Sequence, residues 1–116
     1  MVTIDEMAAT WRRRQAERKA RSDARAQAIR ERLPEAARVL RERYGARRVV
    51  LFGSFARGDT SERSDVDLAV AGIEHLGYFP ALAELTGLLD SPVDLVELEQ
   101  AGASMLARIE LEGIEL

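Results

Sequence analysis

The apolar positions of this chain change their spacing several times, and each change marks an element. Ile4, Met7, Ala8 and Trp11 recur at helical spacing behind Thr3, a good N-cap residue with Glu6 three positions on. From Arg12 to Arg25 the stripe thins to alanines among charges, while Ala, Arg, Glu and Gln keep the helix propensity high. Residues 3–32 therefore read as a long helix whose middle has no continuous apolar face and stands in solvent or needs a partner. Pro34 interrupts the pattern, and it either kinks this helix or opens a new one at its first position. Leu33, Ala36, Ala37, Leu40 and Tyr44 restore an apolar face. Gly45 follows as a C-terminal stop, with Arg41 and Arg43 near the negative helix end.

Past Gly45 the apolar residues fall in runs of strand length. Val49-Val50-Leu51-Phe52 and Leu68-Ala69-Val70-Ala71 predict two strands. Gly72 to Gly77 is a loop, and Pro80 suits the first turn of a helix to about Leu89 with Leu82, Leu85, Leu88 and Leu89 inward. Asp90-Ser91-Pro92 reads as a turn, and Val93 to Leu98 as a third strand. A last helix is expected from Ala101 to Leu111, with Met105, Leu106, Ile109 and Leu111 as inward candidates and Gly113 closing it.

The demanding chemistry lies between the first two strands. Gly53-Ser54 leaves the first, and Asp65-Val66-Asp67 opens the second, ten residues later. Residues i and i+2 of a strand face the same way, roughly 6–7 Å apart, so the two carboxylates sit side by side while Val66, Leu68 and Val70 turn to the other face. Paired carboxylates repel unless a cation or proton lies between them. Hard cations such as Mg²⁺ take one or two carboxylates together with phosphate oxygens. Gly53 lacks a Cβ, which lets a phosphate approach the backbone; Ser54 adds a hydroxyl at the start of a short helical turn. Arg57 can reach a phosphate or a neighbouring carboxylate, and Ser64 shapes the turn before the Asp pair or touches substrate. The lone His75, in a loop, reads as solvated, and Trp11 and Tyr44 as core or interface residues.

The spacing G-S-x10-D-x-D resembles the signature of the minimal nucleotidyltransferases, within the DNA polymerase β-like superfamily. Phe52 before Gly53-Ser54, Ala56-Arg57-Gly58 after it and Ser64 before Asp65 extend the resemblance. So do Pro92 to Leu98 and the ending Ala107 to Ile114, and the whole covers about residues 35–116. The resemblance implies an α/β (α+β) nucleotidyltransferase fold, a small mixed sheet with helices packed on one face, to which the long N-terminal helix is added. It divides the chain into a helical extension, 1–33, and a nucleotidyltransferase domain, 34–116. It also implies a third carboxylate on a later strand, for which Asp94 is the match. Asp90 and Glu97 compete for that role, but strand parity puts Asp94 and Glu97 on opposite faces. The implied site is then Asp65, Asp67 and Asp94 as catalytic and metal-holding carboxylates, with Gly53, Ser54, Arg57 and Ser64 for the nucleotide. Two Mg²⁺ ions and ATP are the implied cofactor and substrate. The implied activity transfers a nucleoside monophosphate, AMP from ATP, to a protein hydroxyl. Members of this family pair with HEPN-domain toxins as antitoxins, so a HEPN-type protein is the implied partner. A non-catalytic module that neutralises its partner stoichiometrically is the alternative.

Charge and composition sharpen this picture. Residues 1–48 carry 14 Lys and Arg against 7 Asp and Glu, whereas residues 49–116 carry 3 against 13. The net charge of −3 therefore hides a basic half and an acidic half. The basic helix suits an acidic protein face, that of a partner or of a second copy in a homodimer, ahead of nucleic acid. No cysteine is present, which removes disulfides and thiolate chemistry and fits a cytoplasmic setting. Met1 to Thr10 has no signal-peptide pattern, and no apolar run has the ~18–20 residues that span a bilayer.

Overall fold

A single helix, α1 (Ile4–Tyr44), sets the length of the molecule. At 1.5 Å per residue its 41 residues account for the 63 Å long axis. The Glu6 N–H donates to Thr3 Oγ1 at 3.0 Å and fixes the start. Gly45, at φ 75°, ends the helix in the left-handed conformation, with its N–H on the Arg41 carbonyl. The helix runs through Pro34 without a new start. A proline inside a helix costs ~3 kcal/mol; burial of the flanking Leu33, Ala36 and Ala37 offsets it. The computed structural model describes all residues, 1–116.

Four strands follow α1: β1 (Arg48–Phe52), β2 (Val66–Ala71), β3 (Val93–Glu97) and β4 (Ile114–Glu115). They form one mixed sheet in the order β3-β2-β1-β4. β1 runs antiparallel to both β2 and β4, whereas β2 and β3 are parallel and are joined by the crossover helix α3 (Tyr78–Leu89). A five-residue helix, α2 (Gly53–Arg57), leaves β1 directly, and α4 (Ala103–Glu112) leads into β4. The two-residue β4 is too short to leave a periodic trace and is not among the expected strands.

Strand alternation assigns the two faces. Val49, Leu51, Leu68, Val70 and Leu95 meet α1 and α3 in the main core, alongside Ala26, Ile29, Leu40, Leu85 and Leu89. On the opposite face Val50, Phe52 and Ala69 meet Ile109 of α4, with Val96 and Met105 at the margin. Helices on one face describe α1 and α3; α4 forms a smaller layer on the other. Leu106 and Leu111, candidates for that layer, are exposed. The division expected at 33/34 falls inside α1, because Ala26, Ile29 and Leu33 belong to the main core. What overhangs the packed body is the first 21 residues, including exposed Ile4, Met7 and Trp11.

Candidate active site

The candidate residues gather at one end of the sheet, on the face that α4 covers. Asp65 stands just before β2, and Asp67 is the second residue of that strand. The parallel register of β2 and β3 sets Asp67 directly beside Asp94. Asp94 thus shares a face with Asp67, while Glu97 pairs with Val70, on the α1/α3 face. Asp90 caps α3 in a left-handed conformation at φ 49°. Register therefore sets Asp94, and neither Asp90 nor Glu97, beside Asp67.

Asp67 is half-buried, and its carboxyl is pushed above the ordinary range. Burial is the main cause, and the charges of Asp94 and Asp65 push the same way. The cations Arg108 and Arg57 pull in the opposite direction without cancelling this. No three acidic side chains are gathered tightly enough to enclose an ion. The three aspartates form a convergent but open set, which a hard divalent cation would suit by its preference for carboxylate oxygen and by offsetting their repulsion.

Gly53 stands at the junction of β1 and α2, with φ 70°. A Cβ there would lie 2.0 Å from Asp67 Oδ2. Glycine is therefore required here to let the Asp67 side chain in. The Gly53 N–H is also engaged, donating to Glu112 Oε1 at 3.1 Å. Glu112, at the end of α4, further accepts from Arg57 Nη1 at 3.0 Å and from Arg108 Nε at 2.8 Å. These contacts, Arg57 foremost, hold the Glu112 carboxyl below the ordinary range. An internal carboxylate therefore sits among an amide donor and two guanidinium groups beside the aspartates. Arg57 makes a second ion pair with Asp59 at 3.1 Å, and Arg108 lies over the Phe52 ring at 5.7 Å.

Ser54 is half-buried in the first turn of α2, and its carbonyl accepts the Gly58 N–H at 2.8 Å. Ser64 is used within its own loop: its Oγ accepts the Ser61 N–H at 2.8 Å. That contact shapes the turn before Asp65. His75 is exposed in a single turn before α3.

Sequence reasoning passed over Glu112, Arg108 and Arg25. The first two lie in the C-terminal segment that carries part of the resemblance, where a Glu beside Gly113 was available as a signal. Arg25 left no signal, being one of many arginines on α1.

Comparison with known proteins agrees with this architecture. Residues 35–116 match the family model of the polymerase β nucleotidyltransferases. The protein adenylyltransferase MntA of Thermococcus cleftensis is 48% identical over 60 residues, 49% of this chain and 61% of that protein. The protein adenylyltransferase MntA of Shewanella oneidensis is 31% identical over 71 residues, 59% of this chain and 51% of that protein. The matched segment thus spans about half to two-thirds of these relatives. Among solved structures, a minimal nucleotidyltransferase superposes with a TM-score of 0.68 at 35% identity, covering 78% of this chain and 95% of the other. A toxin–antitoxin structure with AMP-PNP gives a TM-score of 0.63 at 26% identity, covering 73% of this chain and 69% of the other. No helix is long and apolar enough to cross a membrane. With its mixed sheet, its Gly-Ser turn and its facing aspartates, the chain belongs to the polymerase β-type nucleotidyltransferase family.

Proposed function

We propose that this protein transfers AMP from ATP to a hydroxyl of a partner protein, as the antitoxin of a HEPN-type toxin. The observation that carries the reading is the register that sets Asp67 beside Asp94, with Asp65 two residues before Asp67. The relatives named as protein adenylyltransferases and the toxin–antitoxin fold neighbour with AMP-PNP support the same class of donor, acceptor and partner.

Asp65, Asp67 and Asp94 would hold Mg²⁺, which when bound neutralises triphosphate charge and favours in-line displacement. Arg57 and Arg108 would draw triphosphate oxygens into the charge field that Glu112 now shares. The acceptor hydroxyl oxygen forms a bond to the α-phosphorus. The bond from that phosphorus to the bridging oxygen breaks, and pyrophosphate leaves with its electron pair. The hydroxyl proton passes to the Asp94 carboxylate. β3, which carries Asp94, is an edge strand, so a protein-borne hydroxyl approaches from an open side of the sheet.

The overhang of α1 favours a second reading, in which contact alone neutralises the partner. Its exposed Ile4, Met7 and Trp11 lie outside the family match. One experiment separates the two. The protein is incubated with α-labelled ATP, Mg²⁺ and a HEPN-type protein, and the modified residue is located by mass spectrometry. Wild type is expected to label a tyrosine, whereas Asp65→Asn/Asp67→Asn leaves the partner unlabelled and active. A double variant that labels at the wild-type rate refutes the assignment; one that neutralises without labelling establishes the contact reading.

A further inference from the structure

Arg25 reaches from α1 to both segments that deliver the carboxylates. Its guanidinium donates to the Ser64 carbonyl from Nη1 and Nη2, each at 3.3 Å, and from Nη2 to Ser91 Oγ at 2.8 Å. Ser91 is the single buried polar residue of the chain. Its hydroxyl passes the connection on, donating to the Pro92 carbonyl at 3.1 Å. The same carbonyl accepts the Val66 N–H at 3.1 Å. The neighbours of Asp65 on both sides, Ser64 by its carbonyl and Val66 by its amide, are therefore tied into one network. That network also holds Ser91 and Pro92, the lead into β3 and Asp94.

From this geometry we infer that Arg25 is a positioning residue for the carboxylate site, an inference that rests on the metal-dependent reading above. The two segments come from distant parts of the chain; beyond the Val66–Pro92 backbone bond and the β2–β3 pairing, Arg25 is what ties Ser64, just ahead of Asp65, to Ser91. A planar guanidinium with several fixed donors can hold two acceptors at once, which an ammonium cannot do in the same geometry. Arg25 makes no contact with the aspartate side chains; it acts through the backbone on which Asp65 and Asp94 ride. It also lies outside residues 35–116, so this support comes from the part of α1 beyond the family match. The network is partly buried, where a charge-assisted bond has less competition from water than on the surface.

The test uses the full chain with Arg25→Gln, Arg25→Lys and Ser91→Ala. Mn²⁺ binding in the presence of ATP is followed by electron paramagnetic resonance, and amide exchange is read at Val66 and across β1. Arg25→Gln is expected to weaken Mn²⁺ binding about tenfold, the scale of loss when support behind metal ligands is removed. The Val66 amide should exchange faster while β1 stays protected. Arg25→Lys should recover part of the loss, and Ser91→Ala, which leaves the Ser64 contact in place, should show a smaller change in the same direction. Wild-type Mn²⁺ affinity and Val66 protection in Arg25→Gln would overturn the inference, as would loss of protection spread evenly through β1. If Arg25→Gln fails to fold, Ser91→Ala decides by the same two readouts. Wild-type protein that binds no Mn²⁺ overturns the metal reading itself, and the role of Arg25 with it.

Discussion

The two faces of the sheet are built from the same strands and put to opposite uses. The face toward α1 and α3 carries Val66, Leu68 and Val70, all fully buried in a cluster that reaches from Ala26 to Leu95. The face toward α4 carries Asp67 and Ala69 from the same strand, and its apolar cluster contains only Val50, Phe52, Ala69 and Ile109 as buried members. One face holds the chain together; the other leaves carboxylates unpaired beside a thin cover. Period-2 alternation makes this division possible within a few residues of β2.

Adjacent residues of β2 give the sharpest contrast. Asp67→Asn should reduce transfer by about a thousandfold, since a lost charge at the reacting centre is worth several kcal/mol. Its melting temperature should stay level or rise, because a repelling carboxylate is gone. Leu68→Ala should do the reverse, costing about 2–5 kcal/mol of stability while the folded fraction keeps its activity. Calorimetry and a labelling assay on the same samples check both; a destabilised Asp67→Asn would erase the division between the faces.

Gly53→Ala comes next, because the added Cβ meets the Asp67 carboxylate and the backbone there is left-handed. A cost of about 1–3 kcal/mol is expected, partly recovered in Gly53→Ala/Asp67→Ala, where the obstacle is gone. Urea titration of the single and double variants measures the coupling. Glu112→Gln should lower the melting temperature by a few degrees at neutral pH. The folded-state carboxyl titrates below its ordinary 4.5, so its stabilisation is present above that value and is lost as pH falls through the folded-state value. The deficit of the variant should therefore shrink as pH falls below about 4.5. The smallest effect is expected for deletion of residues 1–21, which removes overhang and leaves Arg25 and Ala26 in place. Stability should change by less than about 0.5 kcal/mol, and a large loss in a denaturation curve would make the overhang part of the core.

Legibility followed the physics of each region. The strands and the carboxylates at the start of β2 were readable because burial on one face enforces alternation, and alternation in turn put Asp94 and Glu97 on opposite faces. The end of α1 was readable from Gly45. The continuity of α1 was not, because proline speaks against a helix locally and only the packing of Leu33, Ala36 and Ala37 overrides it. The engagement of Gly53 with Asp67 and Glu112 was equally hidden, since it depends on contacts between residues 14 and 59 positions apart. Arg25 lay beyond reach for the same reason: its partners are 39 and 66 residues away.

The overhang also governs how the molecule behaves as a charged particle. A sequence pI of 5.3 describes an anion at neutral pH, yet residues 1–21 carry 6 basic and 3 acidic side chains on an arm that stands clear of the body. The Debye length is about 8 Å at physiological ionic strength, far shorter than the 63 Å long axis. Neighbouring surfaces therefore meet the two ends separately, and the average charge governs neither encounter. The particle is an electric dipole whose cationic stretch, Arg12 to Arg21, lies along the arm, able to adhere to anionic and cationic exchangers alike.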